Sequence, residues 1–237
     1  MRRFYVPQIP GLGILEMDED LKHRIGEVLR FSEGEELDLI DGRGCLAKAT
    51  VIGRGKKIGF NIKEVEQKSK DSKKIIVAVS VIRRERFDVM VEKAVELGAD
   101  EIIPFVCERS RPYSSDAYEK LKDRWQRIAD QALSQCRRLF RCKINDIIEL
   151  DKIDKKIIGN MQAFAFDPYK EQGAFVTSLI EADKDVFCLI GPEGGFTQKE
   201  LDDLSSKGFR FHVLTDNILR TETAVMYVLS VIELSKK

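Results

Sequence analysis

Two stretches near the C-terminal end hold the side chains and turns best suited to chemistry. The first is Cys188-Leu189-Ile190-Gly191-Pro192-Glu193-Gly194-Gly195-Phe196-Thr197, and the second is Ile218-Leu219-Arg220-Thr221-Glu222-Thr223-Ala224. The apolar run Val186 to Ile190 reads as a buried strand that stops at three glycines, a proline and an acid. Gly191, Gly194 and Gly195 permit positive φ and leave backbone N–H groups bare, so a small molecule can approach the main chain closely. Thr197-Gln198-Lys199-Glu200 is a capping box that starts a helix, which fixes the loop between two rigid elements. The same glycines mark ordinary turns, and alone they do not separate a binding loop from a structural one. The second stretch shifts the balance. A strand over Phe209 to Leu214 runs through Thr215-Asp216-Asn217 into a final apolar helix, and two neighbouring strand-to-helix turns at one sheet edge make a ligand crevice.

The elements around these loops fall into two patterns. From Leu12 to about Ile62 the chain alternates short strands and turns, with one short helix that places Leu21, Ile25, Val28 and Leu29 on one face. Glu35 to Ile40 and Cys45 to Ile52 flank Asp41-Gly42-Arg43-Gly44, a hairpin signal that implies a small β-barrel. Glu64 to Lys74 is dense in charge without apolar periodicity and reads as an interdomain linker or an exposed edge. From Ile75 the strands become continuously apolar, as in sheets buried on both faces. Ile75 to Ile82, a helix with Phe87, Met90, Val91, Ala94 and Val95 on one stripe closed by Gly98, and Ile102 to Val106 form a β-α-β unit and a mainly parallel sheet. A longer helix is expected over Asp116 to Cys136, with Tyr118, Leu121, Trp125, Ile128 and Ala132 inward. Further strands are expected at Ile144 to Leu150, Ala163 to Phe166 and Val186 to Ile190, with helices near Asp154 and Ala174 and a last helix over Ala224 to Ser235. The domain division expected is 1–70 and 71–237.

Composition narrows the function. Of 237 residues, 43% are hydrophobic and 34% charged, which suits a soluble protein with one large or two modest domains, and the two patterns above favour two. Forty basic and forty acidic side chains cancel, so a nucleic-acid surface must come from uneven distribution of charge. That unevenness occurs at Arg137-Arg138-Leu139-Phe140-Arg141-Cys142-Lys143, where phosphate binding competes with a dipole role at the end of the preceding helix. Five cysteines without a CxxC pair and two histidines favour neither a disulfide framework nor a metal site, and a reducing cytoplasm is the simplest setting. No apolar segment approaches membrane-spanning length, and the chain start lacks a signal-peptide core. The absence of GxxxxGK and of GxGxxG disfavours nucleoside-triphosphate and dinucleotide sites.

The pairing of GPEGGF with ILRTETA closely resembles the RsmE-type methyltransferases of the SPOUT superfamily, which methylate N3 of a uridine in small-subunit ribosomal RNA. The resemblance implies an N-terminal PUA-like barrel for RNA recognition, carried by HRIGEVLRFSEGEELDLIDGRG. It also implies a trefoil-knotted α/β domain, S-adenosylmethionine as cofactor, a homodimer, and ribosomal RNA or the assembled small subunit as partner. On this resemblance Ile190, Gly191, Glu193, Gly194, Gly195, Leu214, Thr215, Asn217, Ile218, Leu219 and Thr223 enclose the cofactor, largely through main chain. Arg3, His23, Arg30, Arg83, Arg84, Arg109, Arg137, Arg138 and Arg141 are the RNA-binding candidates.

Methylation at N3 requires loss of the imide proton and stabilisation of the charge left on the ring. Arg220 is the leading candidate for that cation. Glu193 and Glu222 are candidates for accepting the proton or orienting the donor, although Glu222 also suits a helix first turn and Glu193 a loop brace. The chain departs from the family's LGxRILRTETA, because Thr215 and Asn217 replace the glycine and the arginine. An RNA-binding protein without transfer activity, or an α/β enzyme with another small ligand, are the alternatives.

Overall fold

The computed structural model describes residues 2–16, 22, 31–53, 58–70, 73–111, 115–167, 173–181 and 183–236. The helix expected over Leu21 to Leu29, with His23 and Arg30, lies outside the described residues. By its internal contacts the chain forms two compact units, Met1–Asp71 with Leu133–Arg141, and Ser72–Ala132 with Cys142–Lys237.

The first unit is a five-stranded sheet built from β1 (Arg3–Tyr5), β2 (Gly13–Glu16), β3 (Glu36–Ile40), β4 (Cys45–Ile52) and β5 (Gly59–Gln67), in the order β1-β3-β4-β5-β2. All neighbours are antiparallel except β1 and β3. The expected hairpin forms because Asp41 closes its turn: Oδ1 accepts from the Arg43 and Cys45 amides at 2.7 and 3.1 Å. Alternation then sends Leu37, Leu39, Ala47, Ala49 and Val51 into a core shared with Phe4, Phe60 and Ile62. Of the two readings for Glu64 to Lys74, a linker or an exposed edge, the structure gives the second for its first four residues. β5 continues through Gln67 and pairs Glu64 to Gln67 with Lys48 to Cys45, beyond a register shift at Lys48/Ala49. These side chains are exposed, so the strand leaves no apolar signature, and Lys48 meets Glu64 across it at 2.8 Å.

The second unit is a parallel sheet with helices. Its elements are β6 (Ile75–Ser80), α1 (Arg84–Glu96), β7 (Glu101–Val106), α2 (Ser115–Gln135, whose last three residues count with the first unit), β8 (Lys143–Ile144), β9 (Ile148–Glu149), α3 (Lys155–Ile158), β10 (Gln162–Phe166), β11 (Val186–Ile190), α4 (Gln198–Ser206), β12 (Arg210–His212) and α5 (Thr221–Leu234). The strand order is β12-β10-β11-β6-β7-β8, with β9 also on β7. Phe105, Phe187, Leu189, Phe196, Leu204 and Phe211 form the core on one face. α1 buries Phe87, Met90, Val91, Ala94 and Val95, packs on α5, and is fixed to α2 by Phe87 against Trp125 at 4.0 Å between ring centres. No helix among the described residues is long and apolar enough to cross a membrane.

Three expectations for this unit are corrected. The strand expected over Ile144 to Leu150 is two short pieces, with a 3-10 turn at Leu150–Lys152. Ile102 accepts from the Asn145 amide, so Pro104, two residues on, faces the same neighbour and has no N–H to offer it; pairing resumes only at Phe105 with Ile148. The helix expected near Ala174 is instead a bridge to Val213 followed by a 3-10 turn at Thr177–Leu179. The Gln162 side chain pins that segment's end by bonding both the N–H and the C=O of Glu181. Finally, β12 ends at His212, which releases Leu214 into the loop.

Candidate functional site

The carboxyl ends of β10, β11 and β12 are side by side because these strands are parallel, with Phe166 in register with Ile190 and with His212. All five residues of β11 are buried. The chain therefore leaves the core at Ile190 and turns at once. A β-carbon on Gly191 would stand 2.8 Å from the ring of Phe196, so glycine is what lets that ring fold beneath the loop. Phe196 is buried and stacks on Phe105 with centroids 6.4 Å apart. Of the three glycines only Gly195 has a positive φ, +67°, and its amide closes a turn onto the Pro192 carbonyl at 2.9 Å. Gly194 instead gives room to the Arg109 side chain, 3.4 Å from its would-be β-carbon. The expected capping box is present: Thr197 and Glu200 bond reciprocally at the start of α4.

The second loop spans Leu214 to Arg220. Thr215 Oγ1 accepts from the Asn217 amide at 3.2 Å and donates to the Asn217 carbonyl at 2.8 Å. The hydroxyl thus closes its own turn. No residue of this loop has positive φ, so the backbone here does not demand the glycine that Thr215 replaces. α5 begins at Thr221, whose buried hydroxyl donates to the Gly191 carbonyl at 3.0 Å and ties the two loops together.

Between the loops lies a cleft with about 730 Å³ of empty space, counted out into the solvent at its mouth. Ile190, Gly191, Glu193, Gly194, Gly195, Leu214, Thr215, Asn217, Ile218 and Leu219, all cofactor candidates from the sequence, line it. Thr223 does not. It is exposed on α5, where it sits about 200° round from Thr221. Thr221 and Ala224, three residues apart, share the face that meets the cleft. Phe166, Asp167, Phe196 and His212 also line it, beyond the residues that the sequence singles out. The acid directly after the buried strand Phe164 to Phe166 was the available signal for Asp167, which is buried at the cleft floor. His212 is buried against Phe164 and Phe175. Burial pushes its pKa below the ordinary imidazole value; the Gly173 backbone pulls it up and Arg210 pushes it down.

Among the three candidate catalytic groups, only Glu193 lines the cleft. Arg220 is exposed at the cap of α5. The Glu222 carboxylate is largely buried, with Oε2 lacking a hydrogen-bond partner among the described residues. The cation that meets these acids is Arg86 of α1, which has no local signal in the sequence. Its Nη1 is 2.6 Å from Glu193 and its Nε 3.8 Å from Glu222.

The RNA-binding candidates divide by environment. In the second unit, Arg83 and Arg84 are exposed at the start of α1. Arg109 is engaged, donating to the Gly194 and Phe196 carbonyls at 2.9 and 3.4 Å. In the first unit, Arg3 is largely enclosed and held by Asp38 at 3.1 Å and by the Arg137 carbonyl at 2.7 Å. Arg137 has a φ of +63° and an exposed side chain. Arg138 is half-buried, and Arg141 is exposed with its guanidinium over the Tyr5 ring at 5.2 Å.

Residues 69–233 match the RNA methyltransferase domain family. The ribosomal RNA small subunit methyltransferase E of Bacillus subtilis is 27% identical over 98% of this chain and 96% of its own length. That of Aquifex aeolicus is 29% identical over 98% and 99%. Among solved structures, ribosomal RNA small subunit methyltransferase E from Neisseria gonorrhoeae, bound to S-adenosylmethionine, superposes with a TM-score of 0.88 at 26% identity, over 99% of this chain and 97% of that one. The matched domain takes in 165 of the 237 residues, and the chain belongs to the RNA methyltransferase domain family.

Proposed function

We propose that this protein transfers the methyl group of S-adenosylmethionine to N3 of a uridine in small-subunit ribosomal RNA. The observation that carries the proposal is the cleft closed by the GPEGGF and ILR loops at the ends of three parallel strands, in a chain of this family. The cleft suits the donor. A β-carbon at Gly195 would meet nothing nearer than Asp167 Oδ2 at 4.0 Å, so the main chain there is open to a ligand. Gly191, Gly195, Leu214 and Leu219 would hold it through backbone groups, with Ile190, Phe166 and Ile218 supplying apolar walls. Asp167 places a carboxyl beside a ligand that carries positive charge. When bound, the donor supplies an electrophilic methyl group on a sulfonium.

The remaining work belongs to Glu193, which lines the cleft, and to Arg220, exposed at the start of α5. Glu193 is the acceptor for the imide proton, because it alone of the two candidate acids lines the cleft. Arg220 supplies a guanidinium for the uracil oxygens. A preorganised donor of this kind contributes on the order of 3 kcal/mol in comparable sites. We assign RNA recognition to residues 1–70, joined by the segment Leu133–Arg141 of the same compact unit, and transfer to the rest of 71–237, in a cytoplasmic homodimer. The apolar side chains that α5 and α1 leave exposed, Tyr227, Leu234 and Val89, support pairing through these helices. Titration calorimetry with S-adenosylmethionine tests the cofactor: heat of binding is expected, and its absence with folded protein at high micromolar donor counts against the proposal.

A further inference from the structure

We infer that Arg86 is a positioning residue that holds the glycine loop in its binding geometry, a role that rests on the methyl-transfer proposal for its functional consequence only. Exposed ion pairs in general contribute little, because water and salt screen them. Three features set this pair apart.

First, Arg86 joins three elements: it extends from α1, bonds Glu193 on the glycine loop at 2.6 Å, and faces Glu222 on α5 at 3.8 Å. Second, the Glu222 side chain is only 13% exposed, with Oε2 buried and unpartnered among the described residues. A carboxylate so placed depends on a nearby cation more than an exposed one does. Third, the loop is also gripped by Arg109, whose guanidinium donates to the Gly194 and Phe196 carbonyls. The segment Glu193 to Phe196 is therefore held by one arginine through its side chain and by another through its main chain.

The anchor itself is held to α2 by two contacts. Arg124 of α2 clamps Asp88 of α1 through Nε and Nη2, at 3.0 and 2.7 Å to Oδ2, and Phe87 rests on Trp125. Arg86, beside these two fixed residues and reaching to the loop, transmits the position of α1 to the cleft rim. It bonds Oε1 of Glu193, a side chain that also lines the cleft.

Amide hydrogen exchange in the donor-free protein tests this directly, followed across residues 191–196 in wild type, Arg86→Ala, Arg86→Lys and Glu193→Gln. The amides of β6 and β11, in the core of the same unit, serve as the internal standard for global stability. Arg86→Ala and Glu193→Gln are expected to speed exchange of the Gly195 amide about fivefold or more while the core strands are unchanged, with Arg86→Lys in between. Unaltered loop exchange in both variants overturns the inference and leaves an ordinary surface ion pair. If Arg86→Ala loosens the core strands as well, Glu193→Gln decides.

In the transfer assay, Arg86→Ala is expected to raise the donor KM about tenfold with kcat lowered less than about threefold. A large loss of kcat at unchanged donor KM overturns the positioning role and makes Arg86 a group that touches the reacting base. If the wild-type protein binds no donor, the methyl-transfer proposal fails, and the exchange result still decides the role of Arg86.

Discussion

Gly191 and Phe196 share a space that a β-carbon would fill, with ring carbons 2.8 Å from where it would stand. The ring is 5% exposed and belongs to the core beneath the sheet, so it has little freedom to retreat. Gly191→Ala is expected to destabilise the protein by about 1 to 3 kcal/mol, the usual cost of overpacking. Adding Phe196→Leu should recover part of that loss, and thermal unfolding of the single and double variants measures it. Equal unfolding temperatures for wild type and Gly191→Ala contradict the contact.

Thr221 ties the start of α5 to the glycine loop through its bond to the Gly191 carbonyl. Thr221→Val keeps the shape and leaves a buried acceptor unpaired. The expected cost is about 1 to 3 kcal/mol, or roughly 2 to 4 °C of unfolding temperature per kcal/mol for a chain of this size. Thr221→Ser should retain most of the stability. Donor affinity falls in the valine variant if the tether sets the cleft width, and calorimetry reads that change.

His212 gives the fold a pH dependence of defined sign. Its folded pKa is depressed, chiefly by burial, so the unfolded chain binds the proton more readily. The stability that neutral His212 permits is complete above the unfolded value near 6.5 and is lost as pH falls below it, at no more than about 1.4 kcal/mol per pH unit. His212→Phe should flatten the fall in unfolding temperature between about pH 7 and pH 5 relative to wild type. Parallel pH profiles contradict this assignment.

The basic segment of the first unit is tested by salt. Arg138→Gln with Arg141→Gln is expected to weaken RNA binding and to reduce the slope of log affinity against log salt by roughly 0.7 for each phosphate no longer engaged on a single strand. An unchanged slope places the RNA elsewhere.

What the sequence disclosed, and what it concealed, follows the range of the interactions. The glycine loop, the capping box at Thr197 and the hairpin at Asp41 depend on residues a few positions apart, and each forms where the local pattern puts it. Glu64 to Gln67 form a strand by backbone pairing alone, with exposed side chains, so no periodicity marks them. The break between β8 and β9 depends on Pro104 lying opposite it across the sheet. Asp167 and His212 reach the cleft through the register of three parallel strands, a non-local fact. Thr223 sits one face away because the helix start, not the motif, decides which threonine turns inward. Arg86 meets Glu193 from 107 positions away along the chain, and spacing alone carries no hint of that encounter.

The proposed reaction is tested most directly by incubating the protein with isotopically labelled S-adenosylmethionine and small ribosomal subunits from cells lacking it, then analysing the RNA nucleosides by mass spectrometry. The account predicts label in 3-methyluridine at a single site, abolished by Gly195→Val, which would place a branched side chain in the open main-chain cradle. Label in another nucleoside, or none with donor-bound protein, contradicts it.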